Sequence, residues 1–129
     1  PGGLLAVADW NRRDPGVRPL SWLERRVMHQ LLVQWAHPEF ASIPGFRRNL
    51  EHSTRGNAIA VETADWSRET LPSWIDSILE GLRRPLAVLS LGPRALLLGM
   101  RETPTLLLMH WGFATGMMQF GVFRGRKPG

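Results

Sequence analysis

The feature that most constrains the fold is an apolar stretch between Pro85 and Phe123. Its only charged side chains are Arg94, Arg101 and Glu102. Glycine and proline divide it into short apolar runs, which are Leu86–Leu91, Ala95–Leu98, Leu106–Met109 and Met117–Phe123. Short apolar runs bounded by turn-forming residues are more typical of buried strands than of helices. The pattern therefore predicts a buried antiparallel meander at this end of the chain.

Two helices are predicted ahead of the meander. Ser21 begins the first, because its hydroxyl can cap the helix and Glu24, three positions on, completes a capping box. The helix has an apolar stripe and should stop near His37, before Pro38. The second helix runs from about Glu69 to Arg83, where apolar residues recur with helical spacing at Leu71, Trp74, Ile75, Ile78, Leu79 and Leu82.

The remaining segments are less well defined by pattern. Residues 57–66 predict a strand, and residues 4–10 predict either a first strand or the end of a preceding element. Residues 38–56 fit a short helix or a loop. The fold class predicted is α+β, with two main amphipathic helices on one face of a mostly antiparallel sheet of about four to five strands. Residues 4–123 form one predicted domain, and residues 1–3 and 124–129 resemble linkers.

The predicted meander is apolar on both faces, although two helices can cover only one. A leftover apolar face is the usual mark of an interaction surface. We expect a homodimer, or a partner protein or domain, on this second face. Its candidate contact residues are Leu89, Leu91, Leu106, Leu108 and Trp111. The favoured function is therefore a non-catalytic interaction and oligomerisation module within a larger protein or assembly.

Charge supplies a second hypothesis. The 129 residues carry a formal net charge of +5. A basic balance is the non-specific footprint of nucleic-acid binding, which stays an alternative that the sequence does not favour. The anion-binding segment would be residues 47–57, with Arg47, Arg48, Arg55 and Asn57 as its candidate ligands, since guanidinium groups suit planar anions.

A third hypothesis is a small enzyme acting on an anionic substrate. His52 and Glu51 lie in the same polar segment and could move a proton. No nucleotide or nucleophile motif of the kind G-x-G-x-x-G, G-x-x-x-x-G-K-[ST] or G-x-S-x-G is present. The other histidines, His29, His37 and His110, have no metal-ligand spacing, and the chain has no cysteine. We therefore expect no metal site and no cofactor.

Location is inferred from absences. No segment resembles a signal peptide, and the longest apolar region is too short and too interrupted to cross a bilayer. The chain is expected to be cytoplasmic, with no membrane among its partners.

Overall fold

The computed structural model describes residues 2–53 and 59–126. Along the chain, the elements are β1 (Leu4–Arg12), α1 (Trp22–Gln34), α2 (Ile43–Ser53), β2 (Ala60–Asp65), α3 (Ser67–Arg83), α4 (Pro85–Ser90), α5 (Pro93–Ala114) and β3 (Met118–Arg126). The α+β class predicted from the sequence is confirmed.

The sheet has the strand order β1-β3-β2. Both outer strands are antiparallel to β3, so β1 and β2 run parallel to each other and are connected through α1 and α2. The described residues form three strands. The predicted four to five strands are therefore wrong.

The predicted meander is also wrong, because most of that stretch is helical. The runs from Leu86 to Met109 lie in α4 and α5, and only the last run contributes a strand, β3. Leucine, alanine and methionine dominate these runs, and they favour helix, whereas strands are enriched in β-branched and aromatic residues. Pro93 is the first residue of α5. A backbone N–H at this position has no partner within the helix, so proline, which lacks one, can begin the helix without interrupting it.

The second half of α5 buries one face of the helix. Its buried residues are Thr105, Met109, Gly112 and Phe113, which lie on one face at spacings of four, three and one. They belong with β3 and α1 to one core, whose buried apolar members are Val27, Met28, Leu31, Phe40, Met109, Phe113, Met117 and Met118. Gly116, with φ of +69°, allows the tight turn from α5 into β3.

The two predicted amphipathic helices are both present as α1 and α3. Ser21 caps α1 as expected: Ser21 Oγ accepts from Glu24 N at 3.2 Å, and Glu24 Oε2 accepts from Ser21 N at 2.7 Å. The ambiguous region contains the helix α2. No helix among residues 2–53 and 59–126 has the length and apolar character that crossing a membrane requires.

The C-terminal end of the sheet extends past the boundary predicted at residue 123. β3 continues to Arg126, and Arg124 and Arg126 pair with Ala6 and Leu4 of β1. Residues 124–126, predicted to be linker, therefore belong to the sheet. Residues 127–129 lie outside the described part of the chain.

Candidate functional site

The parallel strands β1 and β2 end at the same edge of the sheet. Arg12, the last residue of β1, is paired with Met118 at the start of β3, and Asp65 ends β2 opposite Gly121. Both outer strands pair antiparallel with β3, and the connections that leave them at this edge can gather side chains around a crevice, since loops carry a large share of binding residues. This edge is therefore the first place to look for a site.

A cleft of about 690 Å³ opens at this edge, between β2, the start of α3 and the end of α5. Leu71 and Phe113 give it an apolar surface, while Asp65, Ser67, Arg68 and Gln119 supply polar groups. Small-molecule sites typically have this composition, an apolar wall with a few convergent polar groups, and volumes of about 300–1,000 Å³.

Asp65 is the centre of the polar groups in this cleft. Its Oδ1 accepts from Ser67 N at 2.9 Å and from Ser67 Oγ, and its Oδ2 accepts from Gln119 Nε2 at 2.8 Å. Ser67 Oγ in turn accepts from Phe120 N at 2.9 Å. These bonds fix the turn between β2 and α3 against the start of β3. The exposed carboxylate is thereby held in one position, with lone pairs left to accept from a ligand hydroxyl.

A second cleft, of about 590 Å³, adjoins the first, and Thr115 at the end of α5 lines both. One wall is the segment between β1 and α1, which is held by a buried ion pair. Arg13 Nη1 and Nη2 donate to the two carboxylate oxygens of Glu24 at 2.9 and 2.8 Å, and Arg18 Nη2 adds a bond at 3.1 Å. Arg13 and Glu24 are 8% and 6% exposed.

The ion pair changes the acidity of Glu24. Hydrogen bonds from Arg13 and from the backbone of Ser21 lower the pKa of this carboxyl from 4.5 to about 2, against the opposing effect of burial. Glu24 therefore stays ionised at neutral pH. Its bonds support the wall of the cleft, and they leave it no role in moving a proton there.

The residues predicted from the sequence lie elsewhere, on α2. Arg47 Nε donates to Glu51 Oε1 at 2.8 Å, and this bond is the main reason that the pKa of Glu51 is lowered. His52 is exposed, with Nδ1 lying 2.6 Å from the carbonyl oxygen of Arg48. Arg48 lines a separate polar cleft of about 420 Å³ that also includes Arg12. The anion-binding and acid–base roles of these residues stay predictions.

Two other members of the predicted anion site, Arg55 and Asn57, lie outside the described residues. Within the described ranges, no cluster of three or more His, Asp or Glu side chains is placed to hold a metal ion.

The predicted interface residues do not share a sheet face, because none of them is in a strand. Leu89 is on α4 and Leu91 follows it, and both are exposed. The other three are partly buried on α5, and two of them, Leu108 and Trp111, pack against the core. The predicted second sheet face is therefore wrong.

Sequence reasoning missed Asp65, Ser67 and Gln119. The available indication was an aspartate at the end of a predicted strand and just before a predicted helix. That indication is weak, because the sequence alone does not show that the end of this strand lies beside Gln119, 54 residues further along the chain.

Comparison with known proteins gives one similarity to a characterised enzyme. The chain is 49% identical, over 124 residues, to the 2-methyl-6-phytyl-1,4-hydroquinone methyltransferase of a Synechocystis species. The alignment covers 96% of this chain and 39% of that protein, so the chain spans well under half of its relative. No family model and no solved structure matches the chain.

This similarity corrects the function favoured by the sequence. A relative that is an enzyme contradicts the non-catalytic interaction module, and with it the interpretation of the chain as a dimerisation element. It favours the enzyme hypothesis.

Proposed function

We propose that this chain is the acceptor-binding part of a methyltransferase whose substrate is a hydroquinone with a long alkyl side chain. The observation that carries the proposal is the 49% identity with the Synechocystis hydroquinone methyltransferase, which extends over 96% of the chain. Identity at this level, over an alignment that covers nearly the whole chain, supports a common architecture and a related task.

The cleft at the carboxyl edge suits an amphipathic acceptor of this kind. An aromatic ring with two hydroxyl groups needs hydrogen-bond partners at one end, and Asp65 and Gln119 offer them side by side. An alkyl chain needs an apolar wall, which Leu71 and Phe113 provide. The same cleft thus contains both kinds of surface.

The chemistry of the acceptor gives Asp65 its proposed role. In a methyl transfer the acceptor atom forms a bond to the methyl group, the donor keeps the electron pair of the broken bond, and the acceptor loses one proton. A carboxylate that accepts a hydrogen bond from a phenolic hydroxyl pushes electron density into the ring and can take up that proton. Asp65 is the exposed carboxylate of the cleft, and its position is fixed by Ser67 and Gln119.

The methyl donor is not assigned to this chain. Nucleotide-bearing donors commonly lie on a glycine-rich turn at the N-terminus of a helix. The sequence contains no G-x-G-x-x-G pattern. These residues therefore do not fit a donor site of that kind, and we assign them to the acceptor side alone.

The test is methyl transfer by the native-length protein that carries this chain. With S-adenosylmethionine labelled in its methyl group and 2-methyl-6-phytyl-1,4-hydroquinone as acceptor, we expect Asp65→Asn to lower kcat/KM about 10²-fold. The matched control is Asp76→Asn, an exposed aspartate on α3 away from the cleft, which should change it less than about twofold. Absence of labelled product with the wild-type protein, or full activity of a folded Asp65→Asn variant, would reject the proposal.

A further inference from the structure

A large group of apolar side chains is exposed around α4. We call it the α4–α5 apolar surface, and it consists of Leu82, Leu86, Leu89, Leu91, Leu97, Leu98, Met100 and Leu107. Leu86 is 79% exposed and Met100 is 74% exposed. These eight large apolar side chains are exposed within 26 residues of chain, whereas exposed apolar residues are ordinarily scattered singly, and a concentration of this kind usually marks a place of interaction.

Except for Leu107, the surface lies on a part of the chain that contributes no buried residue to the core. α4 has no buried residue, and every buried residue of α5 lies at or after Thr105. Val88, Ala95 and Leu96 are half-buried, but most of the large apolar side chains from Leu82 to Met100 are exposed. The folded core does not account for them.

Arginines surround this surface. Arg83, Arg84, Arg94 and Arg101 are all exposed, and the only acidic residue between Leu82 and Leu107 is Glu102. Arg84 is paired with Glu80 and Arg101 with Glu102, so residues 80–107 carry four positive and two negative charges, a formal charge of +2. The partner of this surface should therefore be both apolar and negatively charged.

We propose that the α4–α5 apolar surface docks on a lipid bilayer that contains anionic lipids. The aliphatic side chains would enter the boundary between headgroups and acyl chains, and the arginines would extend along the surface to the phosphates. The mode is peripheral, with the helices lying in the plane of the membrane. The expectation from the sequence was that no membrane is a partner, and the exposure of these residues is the reason to depart from it.

The composition of the surface favours a bilayer over a protein partner. Energetically important positions of protein interfaces are enriched in tryptophan and tyrosine, set in well-packed pockets. Between Leu82 and Leu107 there is no aromatic residue at all. Flexible aliphatic side chains flanked by arginines suit a fluid apolar phase, which needs no shape complementarity.

The first test is sedimentation of the chain with phospholipid vesicles, without any methyl acceptor, so that its result is independent of the proposed enzyme activity. We expect binding to phosphatidylcholine vesicles that contain about 30% phosphatidylglycerol, and at least about tenfold weaker binding to phosphatidylcholine alone. Raising the salt concentration to about 1 M should weaken the binding to anionic vesicles, because the charges are then screened.

Matched variants locate the contact. Leu86→Ser/Leu97→Ser/Met100→Ser should reduce vesicle binding about tenfold or more, because three aliphatic side chains no longer enter the bilayer. Leu4→Ser/Val17→Ser/Val33→Ser removes equally exposed apolar residues elsewhere and should bind as the wild type does. Equal loss in both variants, or no binding of the wild-type chain, would overturn the proposal. Circular dichroism confirms that each variant is folded.

A fluorescent label gives a second readout. Because the chain has no cysteine, a single introduced cysteine is the only labelling site. A polarity-sensitive dye on Leu89→Cys should shift to the blue on anionic vesicles, whereas the same dye on Val33→Cys should not. Equal shifts at the two positions would contradict the proposal. So would a concentration-dependent dimer that the Leu86→Ser/Leu97→Ser/Met100→Ser variant abolishes, because a second copy would then cover the surface.

Discussion

The two halves of α5 differ in burial although both are rich in leucine. From Thr105 to Ala114 the helix contributes Met109 and Phe113 to the core, in contact with α1 and β3. From Pro93 to Pro104 it has no buried residue, and Leu97 is 70% exposed. Apolar composition alone therefore does not determine burial. The neighbouring elements do, and they bury side chains of the second half of the helix only.

The largest expected effect concerns the ion pair beside the packed half of α5. Glu24→Gln leaves the buried guanidinium of Arg13 without its carboxylate, so the free energy of unfolding at pH 7 should fall by about 3–5 kcal/mol. Urea denaturation measures it. The control is Glu62→Gln, which breaks an exposed ion pair with Arg124 and should cost less than about 1 kcal/mol. Equal losses would show that burial of the Glu24 pair has no energetic consequence.

The same carboxylate predicts a pH dependence. The pKa of Glu24 is lowered from 4.5 to about 2 in the folded chain, chiefly by its hydrogen bonds from Arg13 and Ser21. The stability that it contributes is fully present above pH 4.5 and is lost as the pH falls toward 2. The difference in stability between the wild type and Glu24→Gln should shrink over this interval. A difference that stays constant with pH would contradict the assignment of the shift to this pair.

The next largest expected effect is a difference in stability loss between apolar-to-alanine substitutions in the two halves of α5. Met109 is fully buried, so Met109→Ala should lower the free energy of unfolding by about 2–5 kcal/mol through lost burial and a cavity. Leu97→Ala removes a side chain that already contacts water and should change stability by less than about 0.5 kcal/mol. Denaturant curves of the two variants check this. A large loss for Leu97→Ala would mean that the α4–α5 apolar surface is covered when the chain is folded.

The elements that could be predicted from the sequence are those with local chemistry. The capping box at Ser21 and Glu24 and the regular spacing in α3 each specify a helix within a few residues of chain. In α5, by contrast, Gly92-Pro93 and Thr103-Pro104 resembled turns. The helix forms there because leucine and alanine favour it and because Pro93 occupies its first position, where proline is harmless. Pro104 lies inside the helix, where it removes one backbone donor without ending the helix. Glycine and proline as turn signals were therefore a weaker guide here than the helix propensity of the leucine and alanine residues between them.

The candidate site was beyond sequence reasoning for a different reason. Asp65 and Gln119 meet through sheet pairing across more than 50 residues of chain, and only the strand order β1-β3-β2 brings them together. The polar segment at residues 47–57 attracted attention because its charges are adjacent in sequence. Adjacency in sequence and convergence in space are different properties, and a ligand site depends on the second.

The smallest expected change in stability comes from replacing the two glycines of α5, one in each half of the helix. Replacing a helical glycine with alanine normally raises the free energy of unfolding by about 0.5–1 kcal/mol, because glycine loses more backbone conformational entropy than alanine does when the chain folds. A Cβ at Gly99, in the exposed half, would meet nothing within 4 Å, so Gly99→Ala should gain about this amount.

In the packed half the sign should reverse. A Cβ at Gly112 would lie 2.9 Å from Met117 Cε and 3.0 Å from Met118 Cγ, where α5 crosses the start of β3. Met117 and Met118 are both fully buried, so neither side chain has open space into which it could move away from the new Cβ. Overpacking of this kind costs about 1–3 kcal/mol, which exceeds the helical gain, so Gly112→Ala should lower the melting temperature while Gly99→Ala raises it. Shifts of the same sign would show that the two halves of α5 are packed alike.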